Sequence, residues 1–401
     1  MSRTQAYSRE ASPPPLFIPG PGRIDNLTNR RKLVDAAGGL GQVSDVTRNF
    51  CLPYAGAIYR LMTRGDRREP VIPTGACAKS GWHVHACSLA TLLLILAPLF
   101  AAAAADSSAP APSEKPAAKI KVLIVDGYSN HNWKQNTALL RGILEPTGLF
   151  DVTVSTTPAP AAAEWWDQWR PRFKDYDVVI QTCNDINHSG PEWPKEVQAA
   201  FEDYARGGGG VYIYHSAQNA FANWPAYNQM IGLGWRDASY GAAISIDQNE
   251  KLTRHPPNEG LGTGHAPKGD VVIHLLGEHP IHRGLPKAWK TPSLEVYYYA
   301  RGPAVNVEVL SYGQDPSGKL NWPIEWTVRY GKGRVYVATF GHVWKDDVQP
   351  VSMRCAGVQT MIVRCLQWLA RRPVTFPVPA DFPTADKTSI RGEIALPQAQ
   401  D

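Results

Sequence analysis

Three uninterrupted apolar runs do most to limit what this chain can become: Lys121–Asp126 (KVLIVD), Asp177–Thr182 (DVVIQT) and Val211–Tyr214 (VYIY). A strand with one wet face alternates apolar and polar side chains. A run without alternation is apolar on both faces, as a parallel sheet covered on both sides requires. Helical spacing separates the runs: Thr137 to Leu144 places Leu139, Leu140, Ile143 and Leu144 together, and Pro194 to Arg206 places Val197, Ala200, Phe201 and Tyr204 on one face. Pro at the start of the second helix and Gly207–Gly210 at its end are start and stop signals. Phe150–Ser155 alternates as a further strand. Strand, helix, strand, strand, helix, strand predicts an α/β fold, a three-layer sandwich around a mostly parallel sheet. In the second half, Val271–Leu276, Glu295–Tyr299, Val307–Ser311, Ile324–Tyr330 and Arg334–Phe340 read as strands, with Gly331-Lys332-Gly333 as a hairpin turn. Residues 355–370 read as a closing helix striped by Val358, Met361, Ile362, Cys365, Leu366 and Leu369.

Charge separates the folded body from what precedes it. The chain of 401 residues carries +5, but residues 1–105 hold 12 Lys/Arg against 6 Asp/Glu, and residues 106–401 hold 29 against 30. The body is neutral, so no nucleic-acid partner is expected. Residues 86–105 (ACSLATLLLILAPLFAAAAA) end in small residues like a secretory signal and its cleavage site. Export to the periplasm or exterior is the expectation, with a membrane anchor at 86–105 as the alternative. Residues 1–85 read as an unstructured leader, and a start at Met62 before Arg64, Arg67 and Arg68 would give an ordinary basic lead-in. Residues 106–119 are a Pro/Ala/Ser linker, 120–372 the folded domain, and 373–401 a Pro-rich extended tail. The body has three cysteines, Cys183, Cys355 and Cys365, without a C-x-x-C pair, so at most one bridge is expected.

Ligands of parallel α/β sheets bind beyond the carboxyl ends of the strands. Asp126, His131, Asn132 and Trp133 follow the first strand; Cys183, Asn184, Asp185 and His188 the third; His215 and Ser216 the fourth; His342 and Trp344 the late one. A lone histidine is more often a packing residue, but recurrence at equivalent ends favours one cleft. GYSNHNW follows the first strand where G-x-G-x-x-G would stand, and no G-x-x-x-x-G-K-[ST] occurs, so neither nicotinamide nor nucleotide is expected. The absence of G-x-S-x-G leaves Ser216 a weak nucleophile candidate. Without H-E-x-x-H, a metal site would have to assemble through space. Twelve of the 13 tryptophans follow residue 120. Most read as core; Trp133, Trp224, Trp326 and Trp344 adjoin the candidate polar residues and read as sugar-facing.

Five segments, VLIVDGYSNHNWKQNT (122–137), GGGGVYIYHSA (207–217), EHPIHRGLP (278–286), SLEVYYY (293–299) and PIEWTVRYGKGRVYVATFGH (323–342), resemble the ThuA-like, or trehalose-utilisation, family over roughly residues 120–372. The resemblance implies a class I glutamine amidotransferase-like (flavodoxin-like) fold and a role in sugar metabolism beside keto-sugar-forming dehydrogenases. Amidotransferases of that fold carry a nucleophilic Cys at the elbow where this chain has His215, and a late His to which His342 corresponds. Without the thiol, thioester chemistry has no nucleophile.

The expected catalytic group is His215, His342 and Glu295, with His131, Asn132, Trp133, Asp185, Trp326 and Trp344 binding a small carbohydrate. Imidazoles near neutral pKa beside a carboxylate can remove the C–H next to the carbonyl of a 3-keto-sugar and expel the glycosidic oxygen, or catalyse hydrolysis. The same three residues are the candidates for holding a divalent metal in a metal-dependent hydrolase. A non-catalytic sugar-binding or scaffold domain is the further alternative.

Overall fold

The computed structural model describes residues 118–186, 190–315 and 320–397. The leader 1–85, the apolar run 86–105, most of the linker and His188 lie outside the described residues. Among the described residues no helix is long and apolar enough to cross a membrane.

The apolar runs form strands as expected. β1 (Ile120–Asp126), β2 (Phe150–Thr156), β3 (Val178–Gln181) and β4 (Gly210–Tyr214) pair in parallel in the order β2-β1-β3-β4. The late strand β14 (Gly333–Ala338) joins them, parallel to β4. The carboxyl ends of all five therefore lie along one edge. Alternate residues enter opposite layers: Val122 and Ile124 pack with one core, Leu123 and Val125 with the other. Helices α1 (Trp133–Leu144) and α6 (Ala356–Leu369), with the short α5 (Val351–Arg354), cover the first face. α3 (Lys195–Gly207) and α4 (Pro225–Ile231), with the short α2 (Ala163–Trp166), cover the second. The chain is an α/β three-layer sandwich.

Beyond β14 the sheet continues antiparallel through β13 (Asn321–Tyr330), β12 (Val307–Gln314), β8 (Gly269–Leu275) and β9 (Ala288–Leu294). Gly331, at φ +59°, makes the two-residue turn from β13 to β14. No strand is expected from the sequence for β9, nor for β5 (Ala242–Ile246), β6 (Leu252–His255) and β11 (Arg301–Gly302), which flank this wing, nor for β7 (Gly264–His265), which lies in a separate two-stranded ribbon. The expected strand Glu295–Tyr299 is corrected: only Tyr297–Tyr298 is a strand (β10), which left-handed backbone at Tyr299 (φ +50°) ends, while Ser293 (φ +52°) turns left-handed near the end of β9. Glu295 consequently sits in a kink after β9.

α6 is buried almost all round, which its stripe alone did not predict. The reason is the segment after Pro373, which is extended but docked. Phe382 packs against Trp289, Gln367 bonds Thr375 and the amide of Phe376, and Ser389 accepts from the amide of Ala356. Ile394 ends in the core beside α1. Cys183, Cys355 and Cys365 are free and buried.

Candidate functional site

The edge of the parallel strands brings three imidazoles together. His131 lies on the loop after β1, His215 directly after β4, and His342 beyond β14. Ring centroids are 5.0 Å apart for His131 and His215, 4.9 Å for His131 and His342, and 5.3 Å for His215 and His342, each pair edge-on. The loops are tied to each other: the amide of Asn132 donates to Val343 O, and Asn132 Nδ2 donates to Lys345 O at 2.8 Å. Gly341, at φ +102°, passes so close to the ring of Tyr214 that a Cβ would collide with it.

Each ring has one nitrogen held by an oxygen. A backbone carbonyl can only accept, so the 2.7 Å contact to Thr339 O fixes the proton of His215 on Nδ1. Its Nε2 is buried with no hydrogen-bond partner. His131 Nδ1 lies 2.8 Å from Asn130 Oδ1, which Asn184 Nδ2 also holds at 2.8 Å. His342 Nε2 lies 3.3 Å from Glu295 Oε1, and His265 Nδ1 approaches the same oxygen at 3.9 Å.

A cavity of about 300 Å³ opens over this group. His131, His342 and Glu295 line it together with Asn130, Ile186, Asn219, Trp235, His265, Tyr297 and Trp344. His215 lies beneath, 0% exposed. Trp344 stacks on His342 at 5.8 Å and is 42% exposed, forming the wall nearest solvent.

The electrostatics favour uncharged forms. Burial, with repulsion from Lys268 and His265, lowers His131 to about 4. Burial, then His131, Lys268 and His265, lowers His342 to about 3. His215 is pushed well below its ordinary value by burial and by its two neighbours. Burial raises Glu295 above the usual carboxylate range, against the pull of His265 and Lys268. The expectation of imidazoles poised near neutral pKa is therefore corrected: they are neutral and weakly basic, because the site withholds the water that would solvate a cation. Burial makes the Glu295 carboxylate more basic than an ordinary one.

Several expected contacts are spent elsewhere. Trp326 is wholly buried in the second core, its indole donating to Ile231 O at 2.7 Å; it lies in β13 and faces away from the cleft. Trp224 joins an aromatic nest with Trp193, Phe221 and Tyr227. Asn132 caps α1 by accepting from the amide of Gln135, and Trp133 is half-buried on that helix outside the cavity. Asp185 accepts from the amide of Phe221 at 2.7 Å. Asp126 is held by Thr137 and Thr156. The Cys183 thiol is buried and pushed up by burial, which removes it as a nucleophile. In the EHPIHRGLP segment, His282 lies 3.4 Å from the buried Glu325 of β13, an internal pair away from the cleft. Sequence reasoning missed Asn130, Asn219, Trp235, His265 and Tyr297. His265 and Tyr297 face each other in the two-stranded ribbon of β7 and β10, too short to leave a periodic signal.

The sequence pattern of the ThuA family, described as trehalose utilisation, matches residues 121–369. A ThuA-like protein from Parabacteroides merdae is similar at 32% identity and a TM-score of 0.62, with 68% of this chain and 98% of that one covered. One from Bacteroides uniformis is 19% identical with a TM-score of 0.42, covering 64% and 95%. A glutamine amidotransferase from Thermotoga maritima is 9% identical with a TM-score of 0.32, covering 56% and 76%. No curated protein matches the sequence.

Proposed function

Because the chain belongs to the ThuA family, we propose that it processes a carbohydrate, acting on a glycoside or 3-keto-glycoside by acid/base chemistry in this cleft. The observation that carries the reading is the contact of Glu295 with His342, 3.3 Å apart and both on the cavity wall. In a 3-keto-glycoside the C2–H is acidic because the resulting carbanion delocalises into the C3 carbonyl. Glu295 takes this proton as the base, and its raised pKa brings its basicity nearer to working pH. The electron pair moves onto the carbonyl oxygen as an enolate, then returns to expel the C1 glycosidic oxygen, which takes a proton as it leaves. A hydrogen-bond donor on the cavity wall, the side-chain amide of Asn219, is of the kind that stabilises the enolate. Trp344 and Trp235 supply flat surfaces for the apolar face of a sugar.

Glu295→Gln keeps shape and removes the base. Turnover of 3-keto-glucosides should fall about 10²- to 10⁴-fold while ligand affinity changes little. Unchanged turnover would overturn the reading; a chain that binds sugars and turns over none of the glucosides or their 3-keto forms would instead support a binding module. The site is proposed to work outside the cytoplasm, on the strength of the signal-like run 86–105. Amino-terminal sequencing of protein from an exporting host should place the mature start near Asp106, and a chain beginning upstream of residue 86 would contradict export by cleavage.

A further inference from the structure

We propose that His131, His215 and His342 together bind one divalent transition-metal ion of the zinc class, with an open coordination position facing the cavity. One nitrogen of each imidazole lies within 4.8 Å of one from each of the others, and all three residues are buried. Three imidazoles with an open fourth position are a recurring arrangement for catalytic zinc, and imidazole suits the later first-row metals. Zn–N bonds of about 2.0–2.1 Å would draw the rings slightly inward.

Two further observations point to a ligand. His215 Nε2 is wholly buried without a partner, although its Nδ1 is fixed on Thr339 O. Every ring also has one nitrogen near an oxygen: Thr339 O for His215 Nδ1, Asn130 Oδ1 for His131 Nδ1, Glu295 Oε1 for His342 Nε2. Oxygen partners of this kind orient metal-bound histidines and choose which nitrogen carries the lone pair. Among the charged groups bearing on the cluster, Glu295 favours a cation and Lys268 opposes one. The sequence suggested His215, His342 and Glu295 as the metal set; the structure assigns the third place to His131 and leaves Glu295 beside the ion, where it can accept a proton from a bound water or substrate.

The test is zinc titration of the chelator-stripped full chain by calorimetry and by metal analysis, with cobalt absorption as a probe of geometry. One tight site per chain and the visible bands of a low-coordinate cobalt centre are expected. Because Cys51, Cys77, His83, His85 and Cys87 are present in the same chain, the reading is the difference between wild type and variants. His131→Ala and His342→Ala should each weaken the site at least ~100-fold and abolish the cobalt bands, and His215→Ala should do the same if it folds. Glu295→Gln should retain one ion. No difference between wild type and the His131 and His342 variants would overturn the proposal, and loss of the ion in Glu295→Gln would return the ligand set to the carboxylate. The inference concerns binding and stands apart from the reaction. Metal-free turnover with no zinc bound would sink it and spare the acid/base reading; zinc bound with no sugar turnover would do the reverse.

Discussion

His215 turns the chain through φ +43°, a left-handed conformation that costs a side-chain-bearing residue roughly 1–2 kcal/mol. Such strain persists where the surroundings over-determine it, and here β4 ends against the carbonyl of Thr339. The strain predicts an order of variants. His215→Gly should be more stable than His215→Ala by about 1 kcal/mol in denaturant melts, since only the glycine relieves the backbone; an alanine variant as stable as the glycine would show that the turn is unstrained. Trp326 illustrates the opposite case, a residue whose neighbours in sequence suggest a ligand contact and whose packing rules it out. Trp326→Ala should destabilise the fold by about 3–5 kcal/mol and leave the ligand affinity of the folded fraction unchanged. A stable variant with weakened sugar binding would restore the tryptophan to the site.

At the scale of elements, α1 and α6 are held by a segment that belongs to neither. Ile394 exchanges two hydrogen bonds with the side chain of Gln349, and the backbone at Ala395 crosses Gly142 of α1 so closely that a Cβ there would lie 2.5 Å from its carbonyl oxygen. In a free helix Ala is preferred over Gly by about 0.8–1.0 kcal/mol. Here the collision is with backbone, so Gly142→Ala should destabilise the protein and free residues 390–397 to protease. Limited proteolysis followed by mass measurement reads this directly, and unchanged protection would mean that the strap shifts without detaching. The same segment reaches α6 through Arg391, which donates to Gln359 Oε1 at 2.8 Å.

At the scale of the molecule, burying three imidazoles couples the site to global stability. Their folded pKa values lie below the unfolded value of about 6.5, at about 4 for His131 and about 3 for His342. Between those limits the unfolded chain binds protons that the folded chain refuses. Stability should therefore fall as pH drops from about 6.5 towards 4. Glu295 works the other way, since its raised pKa favours the protonated folded state on acidification. Asp126 and Asp185, also raised by burial, act with Glu295, while His279, lowered by burial to about 4, and the buried Glu325, held low by His282, act with the three imidazoles and keep the net slope positive with pH. Thermal melts of the chelator-stripped chain across this window should show Tm falling with acid, less steeply in His131→Phe; a flat profile would mean that the rings are not buried neutral.

The sequence by itself determined the parallel half of the sheet, the helices beside it and the edge on which to look. Unbroken apolar runs, helical spacing and terminating glycines are local signals, because each element declares through its own period which faces it must hide. They placed β1 to β4, β14 and α6, and with them His131, His215 and His342 at strand ends. Only the tertiary structure decided which polar residues meet. Asn132 and Asp185 follow strands as His131 and His215 do, yet cap a helix and hold a loop, because their backbone donors lie nearer than the cleft. His265 and Tyr297 reach the cavity through a two-residue ribbon between distant loops. Proton affinity was decided there too, since a pKa responds to the water withheld by the whole fold, a quantity that no run of neighbouring residues contains.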